Sequence, residues 1–216
     1  MHPILRLYED SISGGAAPVQ LPALARMIFV VHGAVTIDGK TLSHGEAWHG
    51  EGAASLVAGK DGVTLWRFEL AAAGSSGHTL AGPGVRSQEK LSAVLETIPQ
   101  SELLLRGDSV AFPPGGCAYL HRHQGPGVRC LIEGSLRIDT AGQSQTHEIG
   151  DAWFESGPAP VFAQAGNRPT RFIRVMILPR ALIGKSSIQY VNEDDKAKPK
   201  TQQYRVFVDA PLTRPA

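Results

Sequence analysis

The stretch PPGGCAYLHRHQGPGVRCLIEGSLRI, residues 113–138, decides the fold of this chain. It carries His121 and His123 two residues apart, between glycine-rich turns. A β-strand repeats every two residues, so both imidazoles, with Tyr119 two residues earlier, are expected on one face of a strand. The β-branched and large apolar residues that follow, up to Ile138, predict further strands. The stretch therefore predicts a histidine pair that points to the inside of a β-structure.

The second half of the chain repeats the first. Three pairs of segments match in the same order, with offsets between matched glycines and arginines of 101 to 107 residues: VVHGAVTID (30–38) with LIEGSLRID (131–139), GEAWHGEG (45–52) with GDAWFESG (150–157), and GVTLWRFEL (62–70) with PTRFIRVMIL (169–178). A shared order over three matches predicts duplication of one β unit. The alternative is a coincidence, in which glycine, an acid, alanine and tryptophan form the same turn and strand twice.

Composition narrows the class of protein. Of 216 residues, 42% are hydrophobic and 19% are charged, and no long apolar run of membrane-spanning length occurs. The net charge of +1 and the lack of a basic run beyond KAKPK (196–200) argue against a nucleic-acid partner. The N-terminus, MHPILRLYED, differs from a secretory leader, and Cys117 and Cys130 are expected to be free thiols. We therefore expect a cytoplasmic protein, away from membranes, whose partner is a small molecule.

Strand-like segments rich in β-branched and large apolar residues are spread along the chain: 25–31, 34–37, 64–70, 129–132, 135–138 and 171–178. One helix is predicted over residues 87–98, where apolar residues follow helical spacing between Ser87 as the N-cap and Pro99 as the stop. Residues 71–84 have the composition of a linker. The last strand-like segment, 204–209, must pair with an edge in its own barrel or in a neighbouring copy, and the second alternative makes the protein a homodimer.

The segment around the histidine pair resembles the first signature of the cupin superfamily. That signature is a glycine, five residues, a histidine, one residue, a histidine, three or four residues, a glutamate, six residues and a glycine. Gly115, His121, His123 and Gly134 stand at these spacings. The glutamate position falls on Gly127, so the carboxylate ligand of the family is missing there. The second signature of the family places a valine at its histidine position, so the third histidine ligand is missing too.

The resemblance implies an all-β chain of two double-stranded β-helix (jelly-roll) barrels with one short linking helix. We expect a degenerate N-terminal barrel over residues 1–75, a linker and helix over 76–100, a C-terminal barrel over 101–180, and a C-terminal extension with a short strand over 181–216. Placing the signature on the first half leaves no metal ligands there. The chemistry is therefore expected in the second barrel.

In the second barrel the resemblance implies that His121 and His123 hold a divalent metal. Imidazole suits Fe, Mn, Ni, Zn and Cu, and Fe(II) is our first expectation. Arg129 is expected to point inward with Tyr119 and to bind a substrate carboxylate, unless a bulge at the GPG turn directs it outward. Further ligands would be water, substrate or the nearest candidate side chains in sequence, which are Glu155, His147 and Gln164.

Two functions stay open at this point. The first is a metal-dependent enzyme, of the dioxygenase or lyase kind, that acts on an anionic, carboxylate-bearing small molecule. The second is a metal-free binding or sensor protein, in which the two histidines, Tyr119 and Arg129 grip an anionic metabolite. In either case the glycine at 127 is expected to leave space that a substrate carboxylate fills. Cupins include dioxygenases, decarboxylases, isomerases and metal-free binding proteins, so the fold alone does not decide between them.

Overall fold

The computed structural model describes residues 2–213, and their regular secondary structure is almost entirely antiparallel β-strand. The predicted all-β fold is confirmed. Two compact units meet in the sequence between Glu96 and Thr97. Residue 1 and residues 214–216, the ends of the predicted N-terminal barrel and C-terminal extension, lie outside the described residues. No helix within 2–213 has the length and apolar character needed to cross a membrane.

The first unit is built on one seven-stranded sheet. Its strands are β1 (Ile4–Ile12), β2 (Val19–Leu21), β3 (Ala25–Ile37), β4 (Lys40–Ser43), β5 (Ala47–Gly50), β6 (Ala54–Ala71) and β7 (Val85–Val94). The order is β4-β3-β6-β1-β7, while β2 also pairs with β6 and β5 with β3. The long strands β3 and β6 approach each other closely at Gly33, where a Cβ would lie 2.2 Å from the carbonyl oxygen of Gly62. Only glycine allows this contact, which lets both strands turn around one apolar core.

The second unit consists of two five-stranded sheets. Its strands are β8 (Leu103–Phe112), β9 (Cys117–His123), β10 (Gly127–Glu133), β11 (Leu136–Thr140), β12 (Gln143–His147), β13 (Ala152–Glu155), β14 (Val161–Ala165), β15 (Thr170–Pro179), β16 (Ile188–Tyr190) and β17 (Gln203–Leu212). The orders are β13-β10-β15-β8-β17 and β12-β11-β14-β9-β16. Apolar residues of both sheets, such as Phe112, Leu131 and Val161, pack into one core. The sheets therefore enclose an interior toward which alternate residues point.

The predicted helix over residues 87–98 is wrong, because most of this segment forms β7. Strand β7 pairs with β1, with Leu91 opposite Leu7. The segment carries apolar residues at period two as well as at helical spacing, and Ala93 and Leu95 are buried on that pattern. Pairing with the free edge of β1 outweighs the helical pattern. The linker predicted over 76–100 is corrected accordingly, since most of it belongs to the first unit.

The C-terminal extension belongs to the second unit. Strand β17, which contains the predicted segment 204–209, pairs with β8 of the same chain, and β16 pairs with β9. The helices found in 2–213 are both in this extension: a short 3-10 helix, Arg180–Leu182, and a one-turn α-helix, α1 (Asp194–Ala197). Strand β17 thus pairs with an edge strand of its own unit and not with a neighbouring copy, which is one of the two alternatives predicted from the sequence. The homodimer stays a prediction.

The packing of β17 gives a first testable prediction. Val208 is 8% exposed, whereas Val206 on the same strand is 52% exposed. Val208→Ala removes two buried methyl groups and is expected to lower the free energy of unfolding by about 2 kcal/mol. Val206→Ala is the matched control and should change it by less than about 0.5 kcal/mol. Urea denaturation measures both, and equal effects would show that β17 does not pack as described.

Candidate functional site

Two histidines point into the second unit from β9. His121 and His123 are 4% and 5% exposed. Nδ1 of His121 donates a hydrogen bond to the carbonyl oxygen of Tyr119 at 2.7 Å, so its Nε2 carries a lone pair. The Nε2 atoms of the two rings are 3.3 Å apart. The sequence expectation of a paired, inward-facing set of imidazoles corresponds to this geometry.

Tyr119 does not share the face of the two histidines, and the sequence prediction for its side chain is corrected here. Within the stretch that pairs with β14, β9 contains one residue more than its partner. This β-bulge follows Ala118, which points into the core, and breaks the two-residue alternation. The Tyr119 ring lies 5.0 Å and 5.3 Å from the ammonium groups of Lys198 and Lys200 instead. Tyr119 therefore contacts the C-terminal extension.

Glu155 brings a carboxylate to the histidine pair. It lies on β13 directly opposite Gly127, the position at which the signature has its glutamate. Its Oε2 is 3.5 Å from Nε2 of His123 and 2.7 Å from Nη2 of Arg129. Its Oε1 accepts a hydrogen bond from the indole N–H of Trp153 at 2.9 Å. The carboxylate missing from one strand is thus supplied by the neighbouring one.

The other two candidate ligands lie elsewhere. His147 stacks on Trp153, with 4.5 Å between ring centroids. Nε2 of Gln164 donates a hydrogen bond to the carbonyl oxygen of Gly115. Across residues 2–213, no three His, Cys, Asp or Glu side chains converge closely enough to hold a metal as they stand. The site thus offers two imidazoles and one nearby carboxylate that is held by an arginine.

Two arginines occupy neighbouring positions in the same interior. Arg129 on β10 lies opposite Arg174 on β15, and Arg174 lies opposite Asp108 on β8. Opposite residues of antiparallel strands point to the same face, so the three side chains form one inward row. Arg174 donates two hydrogen bonds to Asp108, at 2.6 Å and 2.9 Å, and Arg129 donates one to the carbonyl oxygen of Gly127. Of the two directions considered for Arg129, the structure has the inward one, with the residue fully buried.

Buried polar atoms without a hydrogen-bond partner gather at this site. Of seven such side-chain atoms in the described part of the chain, four belong to three residues here: Nδ1 of His123, Nε and Nη2 of Arg129, and Oε2 of Glu155. The last two form a close ion pair whose angle is poor for a hydrogen bond. Buried polar groups normally have a partner in protein, water or an ion. Their concentration here indicates a site that receives a further group.

Burial and neighbouring charge set the protonation of these residues. Burial lowers the pKa of His121, and burial together with Arg174 and Arg129 holds the pKa of His123 well below its ordinary value. Burial also lowers the pKa of Arg129 to about 10, although Glu155 opposes this. For Arg174, the ion pair with its aspartate outweighs burial and raises the pKa. At neutral pH the site therefore combines neutral imidazoles with charged guanidinium groups.

Gly127 leaves no room for a substrate, contrary to the sequence expectation. A Cβ at this position would lie 2.6 Å from the carbonyl oxygen of Val175 and 2.7 Å from Cγ of Met176. Nη1 of Arg129 would be 3.1 Å away. The space beside the glycine is thus filled by the neighbouring strand and by Arg129, so the position serves close packing of β10 on β15.

The matched tryptophans show why the first unit lacks such a site. Trp153 lies opposite Arg129 on one side of β10, and Trp48 lies opposite Ile28 on β3. Two residues before Ile28, Arg26 of the first unit lies opposite Gly50. At the matching place in the second unit, Gly127 lies opposite Glu155. The Arg26 guanidinium fills this space and bonds to Glu69 and to the carbonyl oxygens of Gly52 and Pro22. In the first unit, the guanidinium of Arg26 and the apolar side chain of Ile28 thus stand in place of the polar cluster of the second unit.

Sequence reasoning missed Arg174 and Asp108 and gave Glu155 little weight. The apolar run FIRVMIL (172–178) gives no clear two-residue pattern, although Arg174 shares a face of the strand with Phe172. Strand β8, which carries Asp108, was not among the predicted strands. For Glu155 the signal existed, because it stands two residues after Trp153, which was expected to fill the barrel.

Comparisons with known proteins show the fold. Neither a protein-family model nor a curated protein matches the chain. Among solved structures, a deletion mutant of oxalate decarboxylase from Bacillus subtilis aligns with a TM-score of 0.62 at 13% identity, over 90% of this chain and 73% of the other. A mutant of salicylate 1,2-dioxygenase from Pseudoaminobacter salicylatoxidans aligns with a TM-score of 0.53 at 12% identity, over 79% and 70% of the two chains.

The chain has the cupin fold. The resemblance that began with the histidine signature thus holds at the level of architecture. Identities of 12% and 13% carry no activity from these neighbours to this chain. Within the cupin fold, the described residues differ from the signature in having the carboxylate on β13.

The packing at Gly127 can be tested by substitution. Gly127→Ala is expected to lower the free energy of unfolding by about 1–3 kcal/mol, because its Cβ overlaps the carbonyl oxygen of Val175 and Cγ of Met176. Gly127→Glu is expected to cost at least as much and to add no metal affinity. Gly52→Ala is the control, since no heavy atom would lie within 4 Å of the new Cβ. A Gly127→Glu protein that is stable and binds metal more tightly would contradict this assignment.

Proposed function

We propose that the second unit is a metal-dependent small-molecule enzyme, of the dioxygenase or lyase kind, that acts on an anionic, carboxylate-bearing substrate. The observation that carries the proposal is the 3.3 Å separation of the Nε2 atoms of His121 and His123. Two nitrogens that bind one metal at about 2.0–2.1 Å each lie about 3 Å apart, so the pair has the spacing of adjacent ligands. The proposal rests on the geometry of this site.

The surrounding residues fit a divalent metal. The His121 ring is oriented by its bond to a carbonyl oxygen, as is common for metal-ligating histidines. Oε2 of Glu155 stands 3.5 Å from Nε2 of His123 and is held by Arg129, so the carboxylate would complete a two-histidine, one-carboxylate donor set by turning from the arginine toward the histidines. Fe(II) is our first expectation for the metal, with Mn, Ni, Zn or Cu as alternatives. When bound, such a metal polarises a substrate carbonyl or activates oxygen.

The residues of the chain itself would bind and orient the substrate. Nε of Arg129 has no hydrogen-bond acceptor, and a planar guanidinium suits a carboxylate. Both histidines are buried, and Val161 of the apolar core lies opposite His121. Charge interactions with a substrate at such buried groups are stronger than they are in bulk water. Tyr119, which points away, has no part in this proposal.

A metal-free binding protein is the second candidate. The observation that favours it is the ion pair between Arg129 and Glu155, which competes with any metal for the carboxylate. In that function Arg129 and the two histidines would hold an anionic metabolite without a metal. The two candidates differ in whether the purified protein contains metal.

Elemental analysis of the purified protein tests the proposal. We expect close to one divalent metal ion per chain, and its loss in the His121→Ala, His123→Ala double variant. His32→Ala removes an exposed histidine of the first unit and should leave the metal content unchanged. Glu155→Gln keeps the shape of the side chain and should weaken metal binding by about tenfold or more.

Two results would contradict the metal-dependent function. One is wild-type protein that contains no metal and takes up none on dialysis against Fe(II), Mn(II) or Zn(II). The other is a double variant that retains the wild-type metal content while circular dichroism shows it folded. The first result would favour the metal-free binding protein.

A further inference from the structure

Arg67 and Arg174 are matched arginines of the two units, and they differ in how many of their nitrogens have a partner. Arg67 donates hydrogen bonds from Nε and Nη2 to Asp10, and its Nη2 also donates to the carbonyl oxygen of His78 at 3.0 Å. Its Nη1 lies 2.7 Å from a carboxylate oxygen of Glu69. Each nitrogen of this guanidinium group therefore lies close to an oxygen.

One nitrogen of Arg174 has no such partner. Asp108 accepts hydrogen bonds from its Nε and Nη2, at 2.6 Å and 2.9 Å. Within residues 2–213, Nη1 donates no hydrogen bond, although Arg174 is only 4% exposed. Buried N–H groups normally have an acceptor in the protein, in water or in a bound group. Arg174 therefore indicates a place that receives an acceptor from outside the chain.

A cavity of about 310 Å³ lies against Arg174. This volume is at the lower end of the range for small-molecule sites. The walls are formed by β8, β15, β17 and residues 184–188. The candidate metal ligands His121, His123 and Glu155 do not line this cavity. It is therefore a second site, separate from the histidine pair.

The chain that follows the matched strands differs between the two units, which explains why the second unit has this cavity. In the first unit, the chain after β6 brings the carbonyl oxygen of His78 to Arg67. In the second unit, the chain after β15 gives two carbonyl oxygens to Arg106 instead. Neither of them bonds to Arg174. The acceptor that the first unit supplies from its own backbone is thus missing in the second.

The charged residues of the cavity wall leave one positive charge without a partner in the wall. Arg174 with Asp108, and Arg106 with Asp209, form two ion pairs with two hydrogen bonds each. Lys185 is the remaining charged residue of the lining. The wall therefore favours an anion over a neutral or cationic ligand.

Hydrogen-bond donors reach the cavity from three of its walls. Arg174 lies on β15, Tyr204 lies on β17, and Ser186 lies between β15 and β16. Oγ of Ser186 accepts a hydrogen bond from the backbone N–H of Ile188, so its own O–H can donate. A group that accepts from all three walls needs oxygens in several directions. Phosphate has a tetrahedral set of oxygens, whereas a carboxylate has two oxygens in one plane, so the lining favours phosphate.

We propose that this cavity binds a phosphate group, either as inorganic phosphate or as a small phosphate monoester, and that Nη1 of Arg174 is the buried donor that holds it. Ser186 and Tyr204 donate to further oxygens of the phosphate, and Lys185 contributes positive charge. Asp108 positions the guanidinium group and does not touch the ligand. The site goes beyond the proposed function, because neither a metal nor the histidine pair takes part in it.

Isothermal titration calorimetry of the full chain, in a buffer without phosphate and at constant ionic strength, tests this site. Malonate is the comparison probe, because it carries two negative charges on carboxylates. Wild-type protein is expected to bind inorganic phosphate at least about tenfold more tightly than malonate. Glycerol 3-phosphate distinguishes the two sources of the group. Tighter binding than inorganic phosphate identifies a monoester as the ligand, and equal or weaker binding identifies the free ion.

Two variants test the donors. Arg174→Lys keeps a positive charge beside Asp108 but removes the planar group, so phosphate affinity should fall at least about tenfold. Arg67→Lys is the matched control, because it makes the same exchange at the counterpart in the first unit, and it should change phosphate affinity less than about threefold. Tyr204→Phe removes only a hydroxyl group and should weaken binding by about threefold or more. It keeps the test decisive if Arg174→Lys fails to fold.

The His121→Ala, His123→Ala double variant separates this site from the proposed function. It should retain the wild-type affinity for phosphate, because neither histidine lines the cavity. Loss of phosphate binding in this variant would place the anion at the histidine pair and overturn the second site. The same conclusion would follow from wild-type protein that binds phosphate no more tightly than malonate, or from folded Arg174→Lys protein with unchanged phosphate affinity.

Discussion

Two guanidinium groups side by side inside a barrel repel each other, and the arrangement of the second unit depends on how this charge is balanced. Arg129 and Arg174 face each other across β10 and β15, and each has its carboxylate on the far side. Removing either carboxylate would leave a buried charge alone, which typically destabilises a protein by about 3–5 kcal/mol. A row of four charges therefore ties β13, β10, β15 and β8 together. The histidine pair lies within reach of its Glu155 end.

The buried charges of the first unit are balanced in another way. Arg67 corresponds to Arg174, and it bonds to Asp10 and contacts Glu69. Arg26 is held by the same glutamate, and Ile28 takes the place of Arg129. These charges are paired among themselves and fill their space with side chains. The matched segments of the two units thus share buried arginines and carboxylates, and among the described residues the second unit alone adds a buried histidine pair.

The sequence predicted the architecture well and the site in part. Strand alternation predicted an all-β chain, because glycine turns and apolar runs are local features, and the resemblance to the cupin fold came from the spacing of Gly115, His121, His123 and Gly134. The segment 87–98 was mispredicted, since its apolar residues fit two periods and the partner strand β1 is distant in sequence. Tyr119 was mispredicted because a bulge, which is set by pairing with β14, reverses the alternation between it and His121. Neither effect can be read from local pattern alone.

The carboxylate of the site was hidden for a different reason. The signature places it four residues after the second histidine, whereas here it lies on a strand that is paired with that position. Register between strands decides which distant residues meet, and a single sequence does not contain the register directly. The arginine row was hidden likewise, because Asp108 is 66 residues away from Arg174. Contacts of this kind became visible only in three dimensions.

Anomalous diffraction from crystals grown with Zn(II), recorded on both sides of the zinc edge, tests the account most directly. The account predicts one anomalous peak in the second unit, about 2.0–2.1 Å from the Nε2 atoms of His121 and His123, with Glu155 turned toward it. The first unit should show none at the corresponding place, where the Arg26 guanidinium lies. A peak that involves neither histidine, or no peak in protein that contains zinc by elemental analysis, would contradict the central claim.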